Sequence, residues 1–169
     1  MKKLKEILFK VNIDSVYGDT NINVSKITFD SRDVKDHALF IAIKGHNFDG
    51  HDYINHATEN GASVVVCENL PVNFEKNRVV YICVKSTKEA LSIIASNFFD
   101  NPSSRIDLIG VTGTNGKTTI SSLLNNLFNE LKFESGLIST ISIKYGNYIE
   151  NSKNTTPDPI TINFHLSEM

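Results

Sequence analysis

The 169-residue sequence contains no apolar run long enough to cross a bilayer and no marked excess of either charge. A helical span needs about 20 consecutive apolar residues, and runs such as ALFIAI, ASVVVC and VVYICV fall far short. A net charge of -2 gives no electrostatic reason to expect nucleic acid or an anionic membrane as partner. Only two cysteines occur, Cys67 and Cys83, each inside an apolar run. They read as inert buried thiols in a reducing compartment rather than as a disulfide framework. The start, MKKLKEILFKVNID, is basic but has neither a sustained apolar stretch nor a small-residue cleavage site. Instead Leu4, Ile7, Leu8 and Val11 predict a short amphipathic helix. No internal repeat or low-complexity tract is present. These absences lead us to expect a soluble, cytoplasmic, monomeric protein with room for one good core or two small ones.

What is present alternates between strand and helix. The segments around Ile27, ALFIAI, ASVVVC and VVYICV predict strands, the last three buried on both faces. Between them DYINHATENG predicts a helix with Asp52 as its N-cap and Gly61 just past its end. STKEALSIIASNFFD predicts another, with Ser86 and Glu89 at capping-box spacing and Leu91, Ile94, Ala95 and Phe98 on one face. Asn101-Pro102-Ser103-Ser104 breaks the pattern, so we expect domains at 1–101 and 102–169.

The second region opens with RIDLIGVT, which predicts a strand, and continues through TGTNGKTT into a helix striped by Ile120, Leu123, Leu124, Leu127, Phe128 and Leu131. SGLISTISIKYG predicts one longer or two shorter strands, and Pro159 suits the first turn of a final helix. Strand, glycine-rich turn, lysine, threonine and helix is the order a phosphate cradle requires. Gly113 and Gly116 allow positive φ, so successive backbone N–H groups can converge on one anion. The helix start adds unpaired N–H groups and the positive end of its dipole. Lys117 can reach β/γ oxygens, and the Thr118 hydroxyl is placed to ligate Mg²⁺. One departure stands out: the general pattern wants glycine five residues before Gly116, where this chain has Val111. Its glycines fall instead at 110 and 113.

GVTGTNGKTT, with that glycine spacing, resembles the ATP loop of the Mur ligase family and its folylpolyglutamate synthetase relatives. FDSRDV, ALFIAIKGHNFDGHDYINHA and NGASVVV are similar to the amino-terminal domains of the third- and fourth-step ligases of peptidoglycan precursor synthesis. GLISTI followed by NTTPDP resembles the third-step branch. The resemblance implies an α/β fold: an amino-terminal UDP-sugar-binding α/β domain followed by the start of a P-loop ATPase domain, truncated. It implies an ATP-dependent amide ligase that joins a diamino acid, meso-diaminopimelate or L-lysine, to UDP-N-acetylmuramoyl-L-alanyl-D-glutamate through an acyl phosphate. Carried over by position, Gly113, Thr114, Asn115, Gly116, Lys117, Thr118 and Thr119 would surround ATP, with Lys117 catalytic and Thr118 on Mg²⁺. Phe29 and Ser31 would contact the uridine nucleotide, together with His46, Asn47 and Phe48. Asn154, Thr155 and Thr156 would meet the muramoyl-peptide. Phe29 departs from the family, where an aliphatic residue is common.

Other readings stay open at this point. Asp30-Ser31-Arg32 and Asn154-Thr155-Thr156 can be ordinary turns, and His46, Asp49, His51 and Asp52 can suggest a metal site, although a turn before a capped helix fits better. A fourth-step-like ligase, a non-catalytic UDP-sugar-binding module and a small P-loop kinase are the rivals. A kinase lid rich in arginine is not foreshadowed, because only Arg32, Arg78 and Arg105 exist, none after the loop. The second region also lacks an acidic residue closing an apolar strand, where a second metal ligand would stand: Glu130, Glu134, Glu150, Asp158 and Glu168 do not fit that place. We therefore expect an amino-terminal portion of such a ligase, inactive alone.

Overall fold

In a computed structural model, which describes residues 1–45, 48–72, 74, 78–152 and 156–169, the chain forms two compact units, Met1–Asp100 and Asn101–Met169. In the first, β1 (Lys2–Lys3) runs into α1 (Leu4–Ile7), followed by β2 (Ile13–Tyr17), β3 (Asn23–Val24), β4 (Lys26–Thr28) and β5 (Ala38–Ile41). Then come α2 (Ile54–Glu59), β6 (Ala62–Cys67), β7 (Val80–Val84) and α3 (Thr87–Phe98). A five-stranded sheet has the order β2-β7-β6-β5-β4. Its β4 to β7 pairings are parallel, and β2 closes one edge antiparallel to β7.

The buried apolar runs become the centre of this sheet. Every residue of β5 and β7 is buried. Ala38, Phe40, Val65, Cys67, Tyr81 and Cys83 share one core cluster with Ile54 and Ala57 of α2. The alternate residues Leu39, Ile41, Val64, Val66 and Ile82 point to the opposite face and are equally excluded from water. Burial on both faces explains why these strands are apolar throughout rather than alternating. Cys67 and Cys83 lie opposite one another in register on β6 and β7 as free thiols, and burial pushes the Cys67 thiol well above its ordinary range.

Helix α3 has the expected cap, Ser86 Oγ accepting from the Glu89 N–H at 3.3 Å. Leu91, Ile94 and Ala95 are buried, and Phe98 is half-buried. The amino-terminal helix is shorter than its pattern, Leu4–Ile7, but Leu4 and Ile7 are wholly buried. One cap differs. Asp49, not Asp52, accepts from the His51 N–H at 3.0 Å and opens a 3₁₀ turn, Gly50–Tyr53, that leads into α2.

The second unit contains α4 (Lys117–Glu130), β8 (Leu137–Ile138), β9 (Ser142–Tyr145), β10 (Tyr148–Asn151) and α5 (Pro159–Glu168). The strands form an antiparallel sheet of order β10-β9-β8. SGLISTISIKYG thus makes two short strands, and β10 is an addition to the sequence reading. Asp158 caps α5, its Oδ1 accepting from the N–H groups of Ile160 at 2.9 Å and Thr161 at 3.0 Å.

RIDLIGVT is a correction. No strand forms there, and Leu108 and Ile109 are 63% and 59% exposed. A parallel strand needs hydrogen-bonding neighbours, and the strands described in this unit pair only with each other. The stripe on α4 is likewise formed but uncovered: no residue of the helix is buried.

Candidate functional sites

In the first unit the candidate residues follow the carboxyl ends of parallel strands, where open α/β sheets place ligands. Phe29 and Ser31 follow β4. Phe29 is exposed and Ser31 is buried. The Asp30 carboxylate caps the 3₁₀ turn Ser31–Asp33 by accepting from the Arg32 N–H at 3.0 Å. It also takes a forked pair from the Arg32 guanidinium, Nε to Oδ1 at 2.9 Å and Nη2 to Oδ2 at 2.7 Å. Those bonds hold the Asp30 carboxyl at about 2. The Ser31 carbonyl accepts from Asn60 Nδ2 at 3.0 Å, which ties the turn to the end of α2.

The segment after β5 turns back on itself, with the Gly45 N–H bonded to the Phe48 carbonyl at 2.9 Å and the Gly50 N–H to the Ile43 carbonyl at 2.9 Å. A Cβ at Gly50 would meet the Ile43 backbone at 2.6 Å, so no other residue fits this closure. Phe48 is 71% exposed at the turn. His46 and Asn47 lie outside the described residues.

A network that sequence reasoning missed braces this edge. His51 Nε2 accepts from the Glu68 N–H at 2.9 Å, and its Nδ1 lies 2.6 Å from Asp49 Oδ1. A backbone donor at Nε2 places the proton on Nδ1, which donates to Asp49. Glu68 Oε1 in turn accepts from the Thr87 N–H at 2.9 Å and the Thr87 hydroxyl at 3.0 Å. The hydrogen bonds from Thr87 hold the Glu68 carboxyl below its usual range, and the His51 N–H does the same for Asp49. The turn that carries Asp49 and His51 is thus tied through Glu68 to the end of β6 and the start of α3. His51 and Glu68 are 17 residues apart, a pairing that no local spacing announces.

In the second unit the glycine-rich loop enters α4 as the sequence order requires. Gly116 caps the helix at φ 78°, ψ −3°, a left-handed conformation suited to glycine, and Gly113 has φ 153°. The first i→i−4 bond runs from the Ile120 N–H to the Gly116 carbonyl at 2.9 Å, so the N–H groups before it lack intrahelical partners. Thr114, Asn115, Lys117 and Thr119 are exposed, and Thr118 is half-buried. Lys117 Nζ folds back onto the loop, donating to the carbonyls of Gly113 at 2.6 Å and Thr114 at 3.2 Å. The Thr118 hydroxyl lies 3.0 Å from that of Thr140. Thr156 is exposed just before α5; Asn154 and Thr155 lie outside the described residues. Among the described residues no group of three His, Cys, Asp or Glu side chains is gathered to hold a metal.

With this geometry in view, two family profiles match in sequence order: "Mur ligase family, catalytic domain" over residues 23–99 and "Mur ligase middle domain" over residues 111–169. The chain belongs to the Mur ligase family. It is 44% identical over 167 residues to the UDP-N-acetylmuramoyl-L-alanyl-D-glutamate–2,6-diaminopimelate ligase of Cytophaga hutchinsonii. The identity to the ligases of the same name from Phocaeicola vulgatus and Clostridium acetobutylicum is 43% and 37%. Each match covers 99% of this chain and 34% of the relative, so the chain spans about a third of their length. Among solved structures, the MurF ligase of Thermotoga maritima in complex with ADP matches with a TM-score of 0.55 and 28% identity, over 83% of this chain and 29% of that one. A UDP-N-acetylmuramoyl-L-alanyl-D-glutamate–2,6-diaminopimelate ligase matches in fold with a TM-score of 0.68 at 20% identity, over 99% of this chain and 33% of that one.

Proposed function

We propose that this chain carries the UDP-sugar-binding and nucleotide-binding parts of an ATP-dependent ligase that joins a diamino acid to UDP-N-acetylmuramoyl-L-alanyl-D-glutamate in the cytoplasm. The observation that carries the reading is 44% identity, running through 99% of the chain, to a ligase named for that substrate and diaminopimelate. The carboxyl-edge turns around Ser31 and Phe48 fit a nucleotide-sugar pocket, with Phe29, His46 and Asn47 contributing to it. Asn154, Thr155 and Thr156 would meet the muramoyl-peptide.

The loop residues suit a triphosphate. Gly113 and Gly116 hold the backbone in conformations that leave N–H groups available, and among the described residues Lys117 carries a cation bonded to the neutral carbonyls of Gly113 and Thr114. Gly113 to Thr119 would hold ATP, and the Thr118 hydroxyl would hold Mg²⁺. When bound, ATP supplies the phosphoryl group that turns a glutamate carboxylate, a poor electrophile, into one with a leaving group. Lys117 neutralises charge on the phosphates, and the loop amides fix their position. The chain acts as a monomer in this reading, without nucleic acid or membrane.

Isothermal titration of the 169-residue chain with UDP-N-acetylmuramoyl-L-alanyl-D-glutamate, with and without ATP, tests the proposal. Saturable binding of both is expected. A chain that bound ATP and ignored the sugar nucleotide would be a kinase, and one that bound only the sugar nucleotide would be a non-catalytic module.

A further inference from the structure

Thr140 occupies the tip of the turn between β8 and β9, and that turn is closed without it. The Ser139 N–H donates to the Ser142 carbonyl at 3.0 Å, and the Ser139 hydroxyl donates to the same carbonyl at 2.9 Å. Ser139 Oγ accepts from the N–H groups of Ile141 at 3.3 Å and Ser142 at 3.1 Å. From the far side of β10, Ser152 fastens the turn twice, its hydroxyl donating to the Ser139 carbonyl at 2.6 Å and its N–H to the Ile141 carbonyl at 2.9 Å. None of these bonds uses the Thr140 side chain. Its hydroxyl meets Thr118 Oγ1 instead, at 3.0 Å across 22 residues of sequence.

We propose that Thr140 is a positioning residue that orients the Thr118 hydroxyl toward the cation accompanying the nucleotide. The inference rests on the ATP and Mg²⁺ reading given above. A hydroxyl has one proton and two lone pairs. When Thr118 Oγ1 gives a lone pair to a divalent cation, its proton must point away from the metal and needs an acceptor there. Thr140 Oγ1, held by a turn that two serines brace, is that acceptor. The arrangement follows the general rule that partners behind a metal ligand fix its orientation and tune its strength.

Thr140→Val and Thr140→Ser separate this role from a structural one. Thr140 is exposed and closes no turn, so both variants should melt with the parent. ATP affinity is measured by equilibrium dialysis on the full chain, once with Mg²⁺ and once with EDTA. The expected result is that Thr140→Val loses about fivefold or more of the Mg²⁺-dependent gain, keeps its affinity in EDTA, and regains the gain in Thr140→Ser. Unchanged Mg²⁺ dependence in Thr140→Val, or an equal loss in EDTA, overturns the inference and leaves the ATP and Mg²⁺ reading standing. No Mg²⁺ dependence in the parent chain overturns the inference together with the Mg²⁺ assignment to Thr118, and leaves ATP binding standing. Absence of any ATP binding by the parent chain overturns both.

Discussion

Lys117 and Gly113 are joined across the glycine-rich loop, the lysine Nζ donating to the glycine carbonyl at 2.6 Å. The ammonium is therefore held over the loop by neutral acceptors. A phosphate oxygen carries negative charge, so the same ammonium would gain ion-pair attraction there in addition to its hydrogen bond. The lysine is poised to exchange one for the other, and this exchange is the centre of the functional account.

Asn97 anchors the amino-terminal helix in the first unit. Its Nδ2 donates to the carbonyls of Ile7 at 2.9 Å and Phe9 at 2.6 Å, in a site where Asn97 is 7% exposed. Asn97→Ala removes the donor and leaves the Ile7 carbonyl buried without it, which costs about 1–3 kcal/mol. Urea unfolding should show that loss. A loss below about 0.5 kcal/mol, the scale of an ordinary surface substitution, would contradict the assignment.

Helices α3 and α4 should differ in protection. Helix α3 buries Ala90, Leu91, Ile94 and Ala95, while α4 buries nothing and leaves Leu123 and Leu127 more than half exposed. Packing rather than propensity holds most helices together, and local opening follows buried contact. Hydrogen–deuterium exchange in peptides from 117–130 should run at least about tenfold faster than in those from 87–98. Equal protection would mean that the α4 stripe is covered in solution.

This contrast marks the limit of what the sequence could show. Ser86, Gly61 and Gly116 act within a few residues of themselves, so their roles in caps and turns were legible. The runs at 38–41, 62–67 and 80–84 were legible because burial on both faces demands continuous apolar chemistry. The segment 105–112 carries a shorter apolar stretch, Leu108-Ile109-Gly110-Val111, but a strand also needs neighbours, and sequence pattern does not supply them. Asp49 displaced Asp52 as the cap because the turn begins as a 3₁₀ helix, a difference that spacing alone does not resolve. The links from His51 to Glu68, from Glu68 to Thr87 and from Thr118 to Thr140 join residues far apart in the chain, and only the fold brings them together.

The Asp30 carboxylate gives a pH dependence. The Arg32 side chain and N–H lower its pKa to about 2 from an ordinary 3.8. A depressed carboxylate stabilises the fold fully above its unfolded pKa, and the contribution is lost as pH falls through the folded value. The window is therefore about pH 4 down to pH 2. Asp30 is 38% exposed on its side chain, so solvent screening keeps the effect below about 1 kcal/mol. Wild type and Asp30→Asn should differ in denaturant midpoint at pH 5 and converge near pH 2. A constant difference across that range would show that ionisation of Asp30 contributes nothing.

The most direct measurement is the ATP affinity of Lys117→Ala beside that of the unaltered chain, in the presence of Mg²⁺. Loss of a charge-assisted contact of about 1.5–3 kcal/mol predicts a fall of roughly tenfold to a hundredfold with an unchanged melting temperature, since the side chain is exposed and, among the described residues, bonds to loop carbonyls. Equal affinity in the two proteins would contradict the account.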